Sequence, residues 1–384
     1  MERHPRFFTR PAIWVLGGLV LALGARPVGA QTVGGDQQHL APWKQLPKHL
    51  VADYGYWSQY NNPPYTSAQI PFSKVTQVNH AGVNLSSNAD GTFVVPDGFL
   101  EPELLTRAHA AGVKVLLLVG GDPTVFSTIA ADPSLRATLV ANLSSFITEY
   151  GYDGVDIDWE YPNPPDRHPF VKLMAAIRQI FPSPQYLTSM DVPPWGGAGF
   201  DFKQLQTIVD AFNIMTYDYA GPWTDDGQIN SPIFPDPKNP DPQGSVKQAL
   251  DLLLKHLPPG QINIGSPFYG YWYKNVKKLW GNCNPCDDST VLYEPYAPFM
   301  KERINQRGWV EYYEMVSGAP YLLRADGKRG FITFDDPAST YLRTWYSVWY
   351  RGVGGMFIWS VDQDYDGHGQ ELLDAMYQAT VEGP

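Results

Sequence analysis

The chain has 384 residues, of which 43% are hydrophobic and 17% are charged, so it can form a sizeable core and is not disordered as a whole. The 39 acidic residues outnumber the 28 basic ones, and the formal net charge of −11 argues against a nucleic-acid surface and against a strongly anionic substrate. The 12 Trp, 23 Tyr and 18 Phe residues fit either a bulky core or a cleft whose rings stack on flat ligand faces, including those of sugars.

The first thirty residues have the pattern of a secretory signal peptide. Arginines precede an apolar, uncharged run at residues 13–25, and Ala30 ends a small-residue cleavage pattern that makes Gln31 the mature N-terminus. The run is too short for a membrane anchor, because a helix needs about 20 residues to span a bilayer. The sequence therefore predicts a secreted protein, extracellular or periplasmic, with residues 31–49 as a lead-in to the folded part.

Apolar β-type runs alternate with helix-type segments over the rest of the chain. Several runs are apolar almost throughout, which is typical of parallel strands that are buried on both faces. The predicted strands are 51–56, 76–84, 113–119, 154–158, 186–192, 211–217, 262–268 and 355–360. The predicted helices are 100–110, 134–150, 167–181, 244–256 and 338–350. This order predicts the α/β class and a (β/α)8 TIM barrel over residues 50–384. A doubly wound open sheet is the alternative. The sequence has no glycine-rich turn after the first strand, so nothing favours a dinucleotide-binding fold.

Two segments interrupt the alternation. Residues 221–243 form a proline-rich stretch after the sixth strand, and long loops in compact domains are usually functional or flexible. Residues 272–330 lie between the seventh and eighth strands and contain short aromatic β-type runs. We interpret this second segment as a small α+β insertion subdomain.

The only cysteines of the chain, Cys283 and Cys286, lie in this insertion and are spaced as Cys-Asn-Pro-Cys. A structural zinc site needs about four ligands. A catalytic redox pair normally opens a helix in a thioredoxin-like unit, of which the sequence gives no sign. In an exported protein, the spacing favours a local disulfide bond.

The fourth predicted strand ends in the acidic run DGVDIDWE at residues 153–160. Because side chains alternate along a strand, Asp156, Asp158 and Glu160 share one face. In a closed barrel this face points inward, with Glu160 at the C-terminal rim. Three carboxyl groups in a poorly solvated interior must share protons, and a raised carboxyl pKa suits a general acid. A hard-cation site, a solvated acidic face and a purely structural hydrogen-bond network are the alternatives.

The acidic run resembles the D-x-x-D-x-D-x-E signature of glycoside hydrolase family 18, the chitinases and their relatives. Further stretches are similar to other strand-end motifs of that family. They are Gly55-Tyr56-Trp57, Leu118-Val119-Gly120-Gly121, Met215-Thr216-Tyr217-Asp218, Pro267-Phe268-Tyr269-Gly270 and residues 331–367, which include Trp359. The insertion at 272–330 is similar in position to the chitinase insertion domain of one branch of the family.

Three features depart from the family pattern. Leu118 replaces a serine whose hydroxyl lies beneath the acidic residues in the family, and Gly82 stands where an aromatic residue is usual. The insertion-domain arginine that holds the sugar in the −1 subsite has no match by motif, and Arg324 and Arg329 are the candidates for it.

The resemblance implies a chitinase that cleaves β-1,4 bonds of N-acetylglucosamine polymers with retention, by substrate-assisted catalysis. Glu160 is then the general acid and base, and the acetamido oxygen of the −1 sugar is the nucleophile. Asp158 is expected to bind the acetamido N–H, and Asp156 to hold the shared proton. Tyr217 and Asp218 are expected to contact the acetamido group and the sugar.

The resemblance also implies a substrate cleft at the strand ends. The candidate substrate-binding residues are Tyr56, Trp57, Gly120, Gly121, Met215, Trp223, Trp272 and Trp359. Trp195 also follows a strand end and is a further candidate for stacking on sugars. The expected partner is chitin or a chitooligosaccharide, bound by a monomer without cofactor, metal ion, nucleic acid or membrane. The alternatives are an endo-β-N-acetylglucosaminidase that acts on N-glycans and a non-catalytic chitin-binding lectin, which the presence of Glu160 disfavours.

Overall fold

The computed structural model of the protein describes residues 46–239 and 243–383. The predicted signal peptide at residues 1–30 and most of the predicted lead-in at 31–49 lie outside the described residues. The strands of the described part are β1 (His49–Gly55), β2 (Gln77–Leu85), β3 (Phe93–Val94), β4 (Lys114–Gly120), β5 (Gly154–Ile157), β6 (Leu187–Val192), β7 (Ala211–Ile214), β8 (Ile262–Pro267), β9 (Tyr269–Tyr273), β10 (Val291–Pro295), β11 (Trp309–Glu314), β12 (Ala319–Arg324), β13 (Phe331–Thr333) and β14 (Gly355–Trp359).

Helices occupy most of the connections between these strands. They are α1 (Pro102–Ala110), α2 (Pro123–Ala131), α3 (Pro133–Tyr150), α4 (Arg167–Ile180), α5 (Phe202–Leu205), α6 (Val246–Leu253), α7 (Pro337–Trp345) and α8 (Glu371–Glu382). Five of them lie within a few residues of the helices predicted from the sequence, whereas α2, α5 and α8 are not among the predicted helices. The connection from β1 to β2 contains a 3-10 turn, Tyr56–Tyr60, in place of an α-helix.

Eight strands form a closed parallel barrel. Around the ring they are β1, β2, β4, β5, β6, β7, β8 and β14, and β1 pairs with both β2 and β14 to close it. These are the eight predicted strands, so the (β/α)8 TIM barrel is confirmed and the open doubly wound sheet is excluded.

Local sequence explains where α2 and α3 begin. The carboxylates of Asp122 and Asp132 each accept hydrogen bonds from two backbone N–H groups of the helix that follows, and a proline occupies the first helical position. The α3 helix ends at Gly151, which adopts the left-handed conformation that terminates helices. These two helices lead the chain directly into β5, which carries the acidic run.

The insertion is a five-stranded antiparallel sheet in the order β10-β9-β13-β12-β11. It runs from Tyr269 to Thr333 and so begins three residues before the segment 272–330 that the sequence indicates. Alternation along β9 gives the sheet two faces. Tyr269, Tyr271 and Tyr273 lie on one face and cluster with residues of the barrel mouth, whereas Trp272 lies on the other.

The barrel wall separates an apolar outer layer from a polar interior. Ile157 and the neighbouring outward-facing side chains pack under the helices in the main hydrophobic core. The register places polar side chains from six strands on the inner face, and all of them are buried. They are Asp53, Asn79, Asp156, Ser189, Asp191, Asn213 and Asn263. The predicted division of the acidic strand into an inward acidic face and an outward apolar face is therefore confirmed within β5, for Asp156 and Ile157.

Cys283 and Cys286 form a disulfide bond between β9 and β10, with their Cα atoms 5.2 Å apart, which confirms the predicted pairing. Cys283 is buried and belongs to the cluster that includes the tyrosines of β9. In the described part of the chain, no helix is both long enough and apolar enough to cross a bilayer.

Candidate active site

Asp156, Asp158 and Glu160 form what we call the acidic column, which rises from the barrel interior to its C-terminal rim. Asp156 at the base is completely buried. Its Oδ1 accepts hydrogen bonds from the Ser189 hydroxyl and from Asn213 Nδ2, the latter at 3.2 Å. Its Oδ2 accepts a longer one from Asn79 Nδ2 at 3.4 Å. Burial nevertheless raises the pKa of Asp156 to about 7, because loss of water disfavours the charged form more than these donors favour it.

The middle of the column lies where β4 and β5 end together. The backbone N–H of Asp158 donates to the Val119 carbonyl at 3.0 Å, which continues the pairing of the two strands. A Cβ on Gly120 would lie 3.2 Å from Asn84 Oδ1, a tight distance, and 3.9 Å from Asp158 Oδ2, an ordinary contact, so Gly120 lies next to the carboxylate. Gly121 has a positive φ of 152°, and a Cβ there would press against Leu85.

Trp159 fixes the column from outside the barrel. Its ring is buried, stacks on Phe126 of α2 at 5.2 Å and meets the edge of Phe170 of α4 at 5.0 Å. Because neighbouring side chains of a strand point to opposite faces, this anchor directs Asp158 inward, beside Gly120. Glu160 is half-buried at the rim.

Tyr217 and Trp359 lie together at the mouth of the barrel. Tyr217 is buried in one apolar cluster with Met215 and Phe357, and Trp359 packs against that cluster from a half-buried position. The ring of Tyr217 lies 5.9 Å from Phe357 and 6.0 Å from Tyr269. The structure thus brings the predicted Met215, Tyr217 and Trp359 to one place.

Asp218 is held by two tyrosines that the sequence analysis does not assign to the site. The hydroxyls of Tyr269 and Tyr271 both donate to its Oδ1, the second at 2.9 Å. Its backbone has a φ of 58°, and its N–H donates to the Asn230 side-chain oxygen at 2.9 Å. The sequence motif that includes Tyr269 could have identified this tyrosine as a site residue. Alternation along β9 would then have identified Tyr271, which lies on the same face.

Three partly exposed tryptophans surround the mouth. Trp57, Trp195 and Trp223 are 40%, 48% and 45% exposed. The ring of Trp57 lies 6.3 Å from Trp359, and that of Trp195 lies 5.5 Å from Tyr161, the residue after Glu160. Trp223 meets the edge of Tyr271 at 5.8 Å. The predicted Trp57 and Trp223 therefore border the site, as does Trp195.

The prediction for Trp272 needs correction. Its ring packs against Phe299 at 5.8 Å and Trp309 at 6.2 Å on the face of the insertion sheet opposite Tyr271. Alternation along β9 causes this, because residues 271 and 272 must point to opposite faces. The structure therefore does not bring Trp272 to the other candidate residues.

The barrel interior adds buried residues that the sequence analysis does not assign to the site. Asn79 Nδ2 donates to Asp53 Oδ1 at 2.9 Å, and Asn213 Oδ1 accepts from Asn263 at 3.0 Å. Asp191 on β6 is buried beside them. The signal that could have revealed these residues is polar alternation within otherwise apolar strands. Among the described residues, no group of three or more His, Cys, Asp and Glu side chains is placed to hold a metal ion.

Comparison with known proteins identifies the family. A family model described as glycosyl hydrolases family 18 matches residues 50–364. The chain belongs to glycosyl hydrolase family 18.

Known members give the extent of the likeness. The chain is 30% identical over 292 residues to "Probable chitinase 2" of Drosophila melanogaster, covering 68% of this chain and 58% of that protein. It is 26% identical over 412 residues to "Chitinase A1" of Niallia circulans, covering 85% and 58%. The crystal structure of Ostrinia furnacalis Group IV chitinase in complex with allosamidin superposes with a TM-score of 0.76 at 24% identity, over 88% of this chain and 99% of that one. The chain thus spans a little over half the length of the two curated relatives.

The structure accounts for two departures from the family 18 pattern. A Cβ on Gly82 would lie 2.4 Å from the Tyr56 ring, so that ring occupies the space beside this strand. Leu118 faces Asp156 across β4 and β5, and the hydroxyl that Asp156 binds comes from Ser189 on the other neighbouring strand.

The contacts of the two candidate arginines do not identify either of them as a sugar ligand. Arg324 is paired with Asp326, and its guanidinium lies 5.1 Å from the centre of the Trp309 ring, on the face of the insertion sheet that carries Trp272. Arg329 donates to the Asn275 carbonyl at 3.1 Å.

Proposed function

We propose that this family 18 protein is a chitinase-type hydrolase that cleaves β-1,4 bonds between N-acetylglucosamine units. The acidic column carries the proposal. It places Glu160 at the rim of a closed barrel, above buried Asp156, and Trp57, Trp195 and Trp223 border the same mouth. A half-buried carboxyl group above a buried carboxyl group with a raised pKa suits a general acid.

Glu160 donates its proton to the glycosidic oxygen while the acetamido oxygen of the −1 sugar attacks the anomeric carbon, so the bond between that carbon and the glycosidic oxygen breaks and the leaving sugar departs as an alcohol. Water then attacks the anomeric carbon and gives its proton to Glu160, which reopens the acetamido ring and restores the acid. Retaining enzymes that use a protein nucleophile place a second carboxylate about 5–5.5 Å from the acid. Asp218 is the acidic residue that the motifs put nearest to this role. However, two phenol hydroxyls already bind its Oδ1, and hydrogen bonding of this kind makes a carboxylate a poor nucleophile.

The remaining residues position the substrate. Asp158 accepts a hydrogen bond from the acetamido N–H. Its carboxylate stabilises the positively charged, oxazolinium-like ring that forms when the acetamido oxygen attacks. Tyr217 donates its hydroxyl to the acetamido oxygen, and Asp218 accepts from the sugar. Trp359 forms an apolar floor under the −1 sugar, supported by Trp57 at a ring distance of 6.3 Å. Support for these roles comes from the common cluster of Met215, Tyr217 and Trp359.

A linear chitin chain is the proposed substrate because an aromatic wall and exposed tryptophans border the mouth. The tyrosine face of the insertion sheet forms one wall, where Tyr293 stacks on Tyr269 at 4.3 Å and is partly exposed. The exposed tryptophans supply flat apolar surfaces on which pyranose rings stack. We also propose that the protein is secreted after removal of residues 1–30 and acts as a monomer, which N-terminal sequencing and light scattering of the exported protein would test.

Partially deacetylated chitosan tests the mechanism directly. A glucosamine unit at the −1 position has no acetamido oxygen, and an aligned intramolecular group can be equivalent to about 10⁵ M or more of external nucleophile. Every new reducing end should therefore be N-acetylglucosamine, and the β-anomer should appear first. Frequent glucosamine at the new reducing ends, or initial release of the α-anomer, would contradict the proposal. A high-mannose glycopeptide serves as the comparison substrate and should remain uncut.

A further inference from the structure

The acidic column has a buried carboxyl neighbour outside the family motif. Asp191 lies on β6 and is only 5% exposed. In the register of β5 and β6, Asp156 pairs with Ser189 and Ile157 with Met190, so the next position sets Asp191 beside Asp158. Because paired residues of neighbouring strands share a face, Asp191 points into the same interior as the column.

Asn213 connects Asp191 to the base of the column. It is the partner of Asp191 in the register of β6 and β7, and its Nδ2 donates to Asp156 Oδ1 at 3.2 Å. The Oδ1 atom of Asp191 is buried and has no hydrogen-bond partner in the described structure. An unpartnered buried carboxylate oxygen is costly, whereas a protonated carboxyl group can donate to a neighbouring carboxylate.

The charges around Asp191 favour that protonated form. The titratable groups that act on it are Asp156 on β5, Asp158 just after β5 and Asp53 on β1, and all three are acidic. Ser189 and Asn213, its uncharged neighbours, supply no compensating positive charge. Burial, with these like charges, raises the pKa of Asp191 well above its usual value.

We propose that Asp191 is a positioning residue for the family 18 reaction, which shares a proton with the Asp156–Asp158 pair and sets the charge beneath Glu160. The inference rests on the proposed function. Asp191 keeps its proton to a higher pH than an exposed aspartate does, because burial and the like charges raise its pKa, and releases it as the pH rises. The negative charge that then appears beneath Glu160 delays the loss of the proton that catalysis uses, and so extends activity toward alkaline pH.

The test is the pH profile of kcat/KM on a chitooligosaccharide for Asp191→Asn. Asparagine has nearly the same shape and stays neutral, so the alkaline limb should move to lower pH by about one unit, while KM at the optimum changes little. Asp191→Glu keeps a titratable group, so its alkaline limb should lie close to that of the wild type. Asp210→Asn is the matched control. This half-buried carboxylate pairs with Arg178 and accepts from Thr188 N–H at 2.8 Å, so its loss should lower thermal stability without moving the limb.

A second measurement does not need turnover. A carboxyl group with a raised pKa in the folded state takes up a proton on folding between pH 5 and 7. The stability of the wild-type protein should therefore fall more steeply with rising pH than that of Asp191→Asn, by up to one proton. Superimposable pH profiles and equal slopes would overturn the proposal. If Asp191→Asn does not fold, Asp191→Ser replaces it in the comparison with Asp191→Glu, and coinciding profiles would overturn it.

The two proposals fail in different ways. Loss of activity in Glu160→Gln together with an unmoved limb in Asp191→Asn would overturn only the role of Asp191. Full activity in Glu160→Gln would overturn the proposed mechanism itself, while the folding-linked proton uptake would still measure whether Asp191 is protonated.

Discussion

Leu118 and Asp156 are paired neighbours in β4 and β5, so the carboxyl at the base of the acidic column has an apolar side chain on one side. On the other side Ser189 is its paired neighbour in β6, and the Ser189 hydroxyl donates to it. A hydroxyl thus reaches Asp156 from β6, although β4 supplies none. The base of the column keeps one O–H donor, and this donor lies far from the acidic run in the sequence.

Ser189→Ala should lower kcat/KM by about tenfold or more. The substitution removes a hydrogen bond to a buried carboxylate, and the net free energy of such a bond is about 1.5–3 kcal/mol. If this energy is lost from the active arrangement of the column, kcat/KM falls about tenfold for each 1.4 kcal/mol. Adding Leu118→Ser should restore part of the loss by supplying a hydroxyl from β4. The control is Ser145→Ala on the exposed face of α3. Unchanged activity in Ser189→Ala would show that this hydroxyl does not matter.

The barrel and the acidic column were predictable because both follow from local alternation. Buried parallel strands are continuous apolar runs, and the period of two places Asp156, Asp158 and Glu160 on one face. The positions of Ser189, Asp191 and their neighbours were not predictable. A single polar residue in an apolar strand can be assigned to the site only when the register shows which residues lie beside it. The register depends on how the ring closes.

The position of Trp272 shows a second limit. The sequence indicates an insertion but does not say where its sheet begins. With β9 beginning at Tyr269, alternation directs Tyr271 toward Asp218 and Trp272 toward Trp309. A shift of one residue in the strand would exchange the two faces.

Glu160→Gln should reduce turnover by about 10²–10⁴-fold, the usual contribution of general acid catalysis, because glutamine cannot deliver a proton. Binding of chitooligosaccharides should be largely kept, since glutamine has the same shape, and calorimetry would measure it. Glu149→Gln, on the exposed end of α3, is the control and should behave like the wild type. Turnover at the wild-type rate in Glu160→Gln would refute its assignment as the acid.

Activity should survive removal of metal ions. The acidic column is proposed to share protons rather than to bind a hard cation, so dialysis against a chelator should leave kcat/KM within about twofold. The assay should be run before dialysis, after dialysis and after addition of Ca²⁺ or Mg²⁺. A loss that either ion restores would favour the alternative of a cation site.

Trp223 and Trp272 should respond differently to truncation. Trp223→Ala removes an exposed ring at the mouth and should raise KM for long oligomers by roughly 3- to 10-fold, the worth of one aromatic contact. Trp272→Ala removes a half-buried ring packed against Phe299 and Trp309 and should destabilise the fold by about 1–3 kcal/mol, less than truncation of a fully buried ring, with little change in KM at a temperature where it stays folded. Melting curves and oligomer kinetics on both variants would check this contrast. A rise in KM in Trp272→Ala but not in Trp223→Ala would contradict the prediction.

His80 should make the protein less stable in acid. Its ring is buried between Phe99 at 4.0 Å and Tyr54 at 5.5 Å, and its Nδ1 lies 2.8 Å from the Tyr152 hydroxyl. Burial lowers the pKa of His80 to about 3, whereas a histidine in the unfolded chain has a pKa of about 6.5. Between these values the unfolded chain binds a proton that the folded protein does not, so stability falls as the pH decreases through this window.

The measurement is the free energy of unfolding of His80→Phe relative to wild type at several pH values. The variant keeps a buried ring but cannot be protonated, so it should lose stability near pH 7, where the hydrogen bond to Tyr152 is missing. Relative to wild type it should then gain about 2 kcal/mol between pH 6.5 and 5, because one proton corresponds to about 1.4 kcal/mol per pH unit. His168→Phe changes an exposed histidine and should show no such trend. A stability difference for His80→Phe that does not vary with pH would mean that the folded protein accepts the proton as readily as the unfolded chain.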